Sequence, residues 1–140
     1  MPKTIEANLD HVGGRYSIAV ARFNDFITGN LLDGALHTLQ DHGIDLESDV
    51  KVVWVPGAFE LPFMAQKLAQ EESFQPDAVI AIGCVIRGGT PHFEYVSSAA
   101  TVGLEAVARE TGVPVAFGVL TTDDVEQAKV RSSAEPPEPS

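Results

Sequence analysis

The sequence predicts an α/β fold, a parallel sheet with helices on both faces. Two observations carry this expectation. Four short runs are almost wholly apolar: YSIAVA (Tyr16–Ala21), VKVVWV (Val50–Val55), AVIAI (Ala78–Ile82) and VAFGVL (Val115–Leu120). Strands buried on both faces have this character. Between and after them, apolar residues recur at steps of three and four, the period of a helix facing a core. The order is β-α-β-α-β-α-β-α, which implies right-handed crossovers and a ligand site beyond the carboxyl ends of the strands.

Each element has a local reason. Residues 1–14 are polar and end in Gly13-Gly14, so they read as an arm. After the first strand, Ile27, Leu31, Leu32, Ala35, Leu36 and Leu39 line one helix face, stopped by Gly43. Pro56-Gly57 punctuates the turn after the second strand. Leu61, Met64, Ala65, Leu68 and Ala69 then mark a second helix, with Pro62 tolerable in its first turn. The third strand leads into a glycine-rich stretch, Gly83 to Thr90. A long helix follows, with Phe93, Val96, Ala100, Leu104, Val107 and Ala108 on one face; Gly112 ends it and Pro114 prevents its return. Asp123 to Arg131 forms a last helix, with Thr122 or Asp123 as its N-cap. The domain therefore spans residues 15–131. The remaining residues, 132–140, are proline-rich and acidic with no apolar stripe, and are expected to be disordered.

Composition narrows the function. The 140 residues include 9 Lys+Arg against 20 Asp+Glu, a formal charge of −11. That balance argues against gripping a nucleic-acid backbone or an anionic membrane surface. No run approaches the roughly 18 apolar residues of a membrane span, and the start lacks the plan of a signal peptide. A cytoplasmic protein is expected. A single cysteine, Cys84, excludes an intramolecular disulfide and a Cys-based zinc site within one chain. No histidine pair has the i, i+4 spacing of a metal-binding helix, His37 and His42 being five apart, so no metal site is expected.

Chemistry is expected in the loops after the strands: Arg22 to Asp25, Pro56 to Glu60, Gly83 to His92 and Thr121 to Asp123. Together they hold an aromatic ring, a carboxylate, flexible backbone, a hydroxyl and an imidazole. This suits a polar heterocycle with a phosphate nearby. Gly88-Gly89-Thr90 precedes a helix start, where free amides and the helix dipole favour an anion; alone, such a triplet is more often a plain turn. His92 beside it could relay protons, since an imidazole titrates near neutrality; a helix-start histidine with a satisfied hydrogen bond is an equal reading. His11, His37 and His42 are weaker candidates. Phe23 could stack on a planar ring or plug the core. Glu60 could bind hydroxyls or complement a helix dipole. Cys84 lies in an apolar stretch and reads as an inert buried thiol. Arg131 at a helix end would ordinarily be a dipole partner.

Several motifs stand in a specific order: Arg22-Phe23-Asn24, then Val55-Pro56-Gly57-Ala58-Phe59-Glu60-Leu61-Pro62. Next come the run from Gly83 to Val96 (GCVIRGGTPHFEYV) and Phe117-Gly118-Val119-Leu120-Thr121-Thr122 with Glu126-Gln127-Ala128. In this order and spacing, over residues 14–131, the chain resembles the lumazine synthases of riboflavin biosynthesis. The resemblance implies a flavodoxin-like sandwich with a four-stranded parallel sheet. It implies a transferase that joins 5-amino-6-(ribitylamino)uracil to 3,4-dihydroxy-2-butanone 4-phosphate, without metal or organic cofactor. Phe23 would stack on the pyrimidine, Ala58, Phe59 and Glu60 hold the ribityl chain, and the backbone of Val85, Ile86 and Arg87 face the pyrimidine. Gly89 and Thr90 would bind phosphate and His92 transfer protons. Phe117 and Arg131 would reach into a neighbouring subunit's site, Arg131 on the phosphate.

The resemblance also implies a homopentamer, or multiples of it up to sixty-subunit shells, with riboflavin synthase as a partner. Past Arg131 the chain departs from the family pattern, which continues into a long final helix. The expected sheet therefore lacks one covering helix. The competing expectation is a weakly active or non-catalytic paralogue that keeps the heterocycle pocket or the assembly surfaces.

Overall fold

The structure is a computed structural model that describes residues 1–9 and 13–133. His11 and residues 134–140 of the expected tail lie outside them. Residues 1–9 are exposed and form neither helix nor strand. The elements that follow are β1 (Tyr16–Ala21), α1 (Asp25–Asp41), α2 (Leu46–Asp49), β2 (Val50–Val55), α3 (Leu61–Ala69), β3 (Ala78–Ile86), α4 (His92–Thr111), β4 (Val115–Thr122) and α5 (Val125–Arg131). A 3-10 turn, Ala58–Glu60, leads into α3.

The four strands form one sheet in the order β2-β1-β3-β4, and every pairing is parallel. Side chains alternate between its two faces. Ala19, Val79, Ala81, Val85 and Val119 meet Leu61, Ala65 and Leu68 of α3 and Leu104 and Val107 of α4. Ile18, Val20 and Ile82 meet Leu32 of α1 on the opposite face. Beyond them Ile27, Cys84 and Ala128 join α1, β3 and α5 in a smaller cluster. Both faces of β1 and β3 are thus dry, which is why their sequences lack polar alternation. This is the flavodoxin-like α/β sandwich. Among the described residues, no helix is long and apolar enough to cross a membrane.

Three boundaries differ from the sequence-based expectation. β3 continues through Gly83 to Ile86 rather than stopping at Ile82. Gly83 interrupts nothing: it pairs with Val119 in the ladder. A Cβ there would lie 3.0 Å from Leu61 Cδ1 and 3.4 Å from Ala58 Cβ. The glycine marks a close approach of the α3 entrance to β3, not a turn. β4 likewise runs on to Thr122, paired with Ile86. The N-cap of α5 is Asp124, whose carboxylate accepts from the Gln127 amide at 2.8 Å, rather than Thr122 or Asp123. Thr122 stays in the strand, and its hydroxyl donates to the Asp124 carbonyl.

Ser132 and Ser133, at the start of the expected tail, continue the last turn of α5. Ser132 is buried, and its amide donates to the Ala128 carbonyl at 3.0 Å. The Ser133 hydroxyl donates to Val130 O at 2.8 Å. Both serines satisfy carbonyls that the last turn of α5 would leave open. The short α2 was not expected from periodicity; Asp45 caps it by accepting from the Glu47 amide at 3.0 Å.

Candidate active site

At the carboxyl ends of β1, β2 and β3 the chain encloses an open cavity of about 530 Å³. Phe23, Ala58, Phe59, Glu60 and His92 line it, with Pro56, Gly57, Tyr95 and Val96. Five residues singled out from three separate loops therefore share one hollow.

The first wall is built by an extension of the β1·β2 ladder. Arg22 N donates to Val55 O at 2.7 Å, and Phe23 N to Pro56 O at 2.9 Å. The Arg22 guanidinium lies 4.9 Å from the centre of the Trp54 ring, which fixes that side chain away from the cavity. Phe23 is 71% exposed, so its ring plugs no core and is free to meet a ligand.

The second wall is the turn after β2. Glu60 N donates to Gly57 O at 3.1 Å, closing the 3-10 turn. Ala58 is buried against β3, and this throws its neighbour Phe59 outward, 60% exposed. The Glu60 carboxylate folds back over Gly57, where a Cβ would stand 3.4 Å from Oε1. No hydrogen bond or ion pair engages that carboxylate among the described residues, so its lone pairs are open to hydroxyl donors.

The third wall begins where β3 ends. Arg87 N donates to Thr122 O at 2.8 Å, the last rung to β4. The Arg87 side chain turns away from the cavity, its Nε 3.1 Å from Asp123 Oδ1 and its guanidinium 4.7 Å from the Phe93 ring centre. Gly88, Gly89 and Thr90 are exposed, and a Cβ on either glycine would meet nothing within 4 Å. α4 opens at His92 behind Pro91, without a side-chain cap. Free amides at the start of a 20-residue helix, beside the Thr90 hydroxyl, suit an anion. Tyr95 lies one turn after His92 and is 71% exposed toward the same hollow. Its i, i+3 spacing from His92 puts it on the same helix face, a signal legible in the sequence.

Other candidates lie elsewhere. Val85 packs in the α3/α4 core, and Ile86 beside Cys84 and Ala128; only their backbones could face a ligand. Phe117 pairs with Ala81 in the middle of edge strand β4 and is 49% exposed. Arg131 lines a separate groove of about 700 Å³ between α1 and the end of α5, with Asp33, His37 and Ser132. Neither reaches the Phe23 cavity of its own chain. His42 is engaged locally, its Nδ1 2.8 Å from Thr38 O. Cys84 is buried, and burial pushes its thiol up to about 11. Among the described residues, no group of three His, Cys, Asp or Glu side chains is placed to hold a metal ion.

A comparison with protein families matches residues 13–138 to the family described as 6,7-dimethyl-8-ribityllumazine synthase.

Proposed function

The chain belongs to the 6,7-dimethyl-8-ribityllumazine synthase family, and from that premise we propose that it condenses 5-amino-6-(ribitylamino)uracil with 3,4-dihydroxy-2-butanone 4-phosphate. The observation that carries this reading is the convergence of Phe23, Glu60 and His92 on one cavity. A ring surface, a free carboxylate and an imidazole match a pyrimidine, a polyol chain and a series of proton transfers.

In this reading the pyrimidine lies on Phe23, with its ribityl hydroxyls donating to Glu60. The phosphate sits at the Gly89-Thr90 turn and the start of α4. The 5-amino group attacks the ketone carbonyl; the carbinolamine loses water to give an imine. A proton leaves carbon, the phosphate–carbon bond breaks with its electron pair going to phosphate, and the resulting enol tautomerises to a ketone. The ribitylamino nitrogen attacks that carbonyl, closing the ring, and a second water departs. His92 carries protons between these steps. Both substrates are intrinsically reactive, so holding them together in the right orientation supplies much of the acceleration. Amide and hydroxyl donors stabilise the departing phosphate.

A homopentamer completes the site. That neither Phe117 nor Arg131 lines its own chain's cavity supports their serving the site of an adjacent copy, where Arg131 adds the cation that phosphate departure favours. Mixing the two substrates with the protein and following lumazine absorbance tests the reaction. Sedimentation tests the assembly. Absence of lumazine refutes the catalytic reading, and a monomer at working concentration refutes the shared site.

A further inference from the structure

We infer that Asn24 is a positioning residue, which spans the opening between β1 and β3 and thereby aims the Phe23 ring into the cavity. The inference rests on the proposed function for its substrate, but its geometry stands on the chain alone.

The β1·β3 ladder ends at Val20 paired with Ile82, whereas β3 continues to Ile86. Past Ile82, β3 keeps β4 on one side and has lost β1 on the other. This is the point where strand order reverses, and such crevices open because the two connections leave in opposite directions. Carbonyls of β3 on the open side need a donor. The Asn24 side chain supplies one: its Nδ2 donates to Cys84 O at 3.0 Å, across 60 residues of sequence.

The backbone of Asn24 explains why this side chain can reach. Asn24 has φ 66° and ψ 42°, a left-handed conformation that asparagine tolerates better than most residues with a side chain. That conformation breaks the strand direction immediately after Phe23. It also points the Asn24 carbonyl down the new helix, where it accepts from Ile27 N at 2.9 Å and Thr28 N at 3.0 Å. Phe23 is thus gripped on both sides, by the Pro56 carbonyl on its own amide and by the Asn24 tether one residue on. An exposed ring gains nothing from core packing, so these backbone constraints set its direction.

Three variants separate the contributions. Asn24→Gly keeps the left-handed backbone and removes the amide. Asn24→Asp keeps size and backbone and replaces the donor with an acceptor facing Cys84 O. Phe23→Ala removes the ring. Asn24→Gly and Asn24→Asp should raise KM for the pyrimidine substrate about tenfold, the loss of one hydrogen bond's worth of ordering. KM for the butanone phosphate and kcat should stay within about twofold. In the Phe23→Ala background, Asn24→Gly should add nothing. An unchanged pyrimidine KM, or an equal increase with and without the ring, overturns the inference.

A substrate-free readout keeps this result distinct from failure of the proposed reaction. With 4-fluorophenylalanine at position 23, fluorine NMR should give one sharp line with Asn24 present, and a shifted, broadened line in Asn24→Gly. Identical lines overturn the inference even if the protein makes no lumazine.

Discussion

Arg87 Nε and Asp123 Oδ1 stand 3.1 Å apart, joining the end of β3 to the loop before α5. The pair is half-exposed or more on both sides, at 51% and 70%. Such a pair contributes only about 0–1 kcal/mol to stability. Its consequence is geometric. It holds the base of the Gly88-Gly89-Thr90 turn, where no side-chain hydrogen bond or ion pair is made among the described residues. Arg87→Gln should therefore leave urea unfolding nearly unchanged. It should raise KM for the butanone phosphate about three- to tenfold, by adding ordering entropy to phosphate binding. Hydrogen exchange at residues 88–90 should quicken in parallel.

His92→Ala should lower kcat by about 10²-fold, at the modest end for a proton-transfer group, and leave both KM values nearly unchanged. The reaction should persist, because the remaining walls still orient both substrates. Steady-state lumazine formation measures this, and an unchanged rate removes His92 from the proton path.

Phe23→Ala should raise KM for the pyrimidine about tenfold or more, whereas Phe23→Tyr should retain most binding because the stacking face is kept. Titration of lumazine fluorescence provides the same comparison without turnover.

Gly103 on α4 faces Pro62 on α3 so closely that a Cβ would lie 2.6 Å from Pro62 Cγ. Neither partner can yield easily, since one is helix backbone and the other a ring. Gly103→Ala should destabilise the fold by about 1–3 kcal/mol, measured as a shift in the urea midpoint at constant slope. A neutral result would mean that α3 and α4 can separate without cost.

Cys84 supplies the pH prediction. Its thiol is raised from 9.0 to about 11 because burial penalises the thiolate. The folded state therefore holds its proton longer than the unfolded state. The stabilisation tied to that difference is complete below pH 9 and is lost as pH rises from 9 through about 11. Urea midpoints should fall across that window, and Cys84→Ser should flatten the decline. At pH 8 an aromatic disulfide reagent should label the native protein far more slowly than the unfolded chain.

Much of this molecule is local and therefore readable along the chain. The four strands, the major helices and the loops carrying Phe23, Glu60 and His92 follow from hydrophobic period and from glycine and proline punctuation. The carboxyl-end rule then assigns those loops to one rim without any coordinates. What escaped was set by neighbours distant in sequence. Gly83 resembles a breaker until Leu61 and Ala58 are seen against it. Arg87 carries a side chain whose direction is set only when Asp123 and Phe93 meet it. The Asn24 amide gains its purpose only from the Cys84 carbonyl across the open seam.

Side-chain period and backbone propensity act over a few residues, so composition and order suffice to define the layers of this α/β domain and the chemistry available at its rim. Direction and contact are properties of packing. Which face Gly83 serves, where Arg87 points, how the Phe23 ring is held and why Arg131 stands apart from its own chain's cavity depend on surfaces that meet only after the strands have paired. The tertiary structure alone decides these, because a hydrogen bond or a close approach across 60 residues leaves no periodic trace in the chain that makes it.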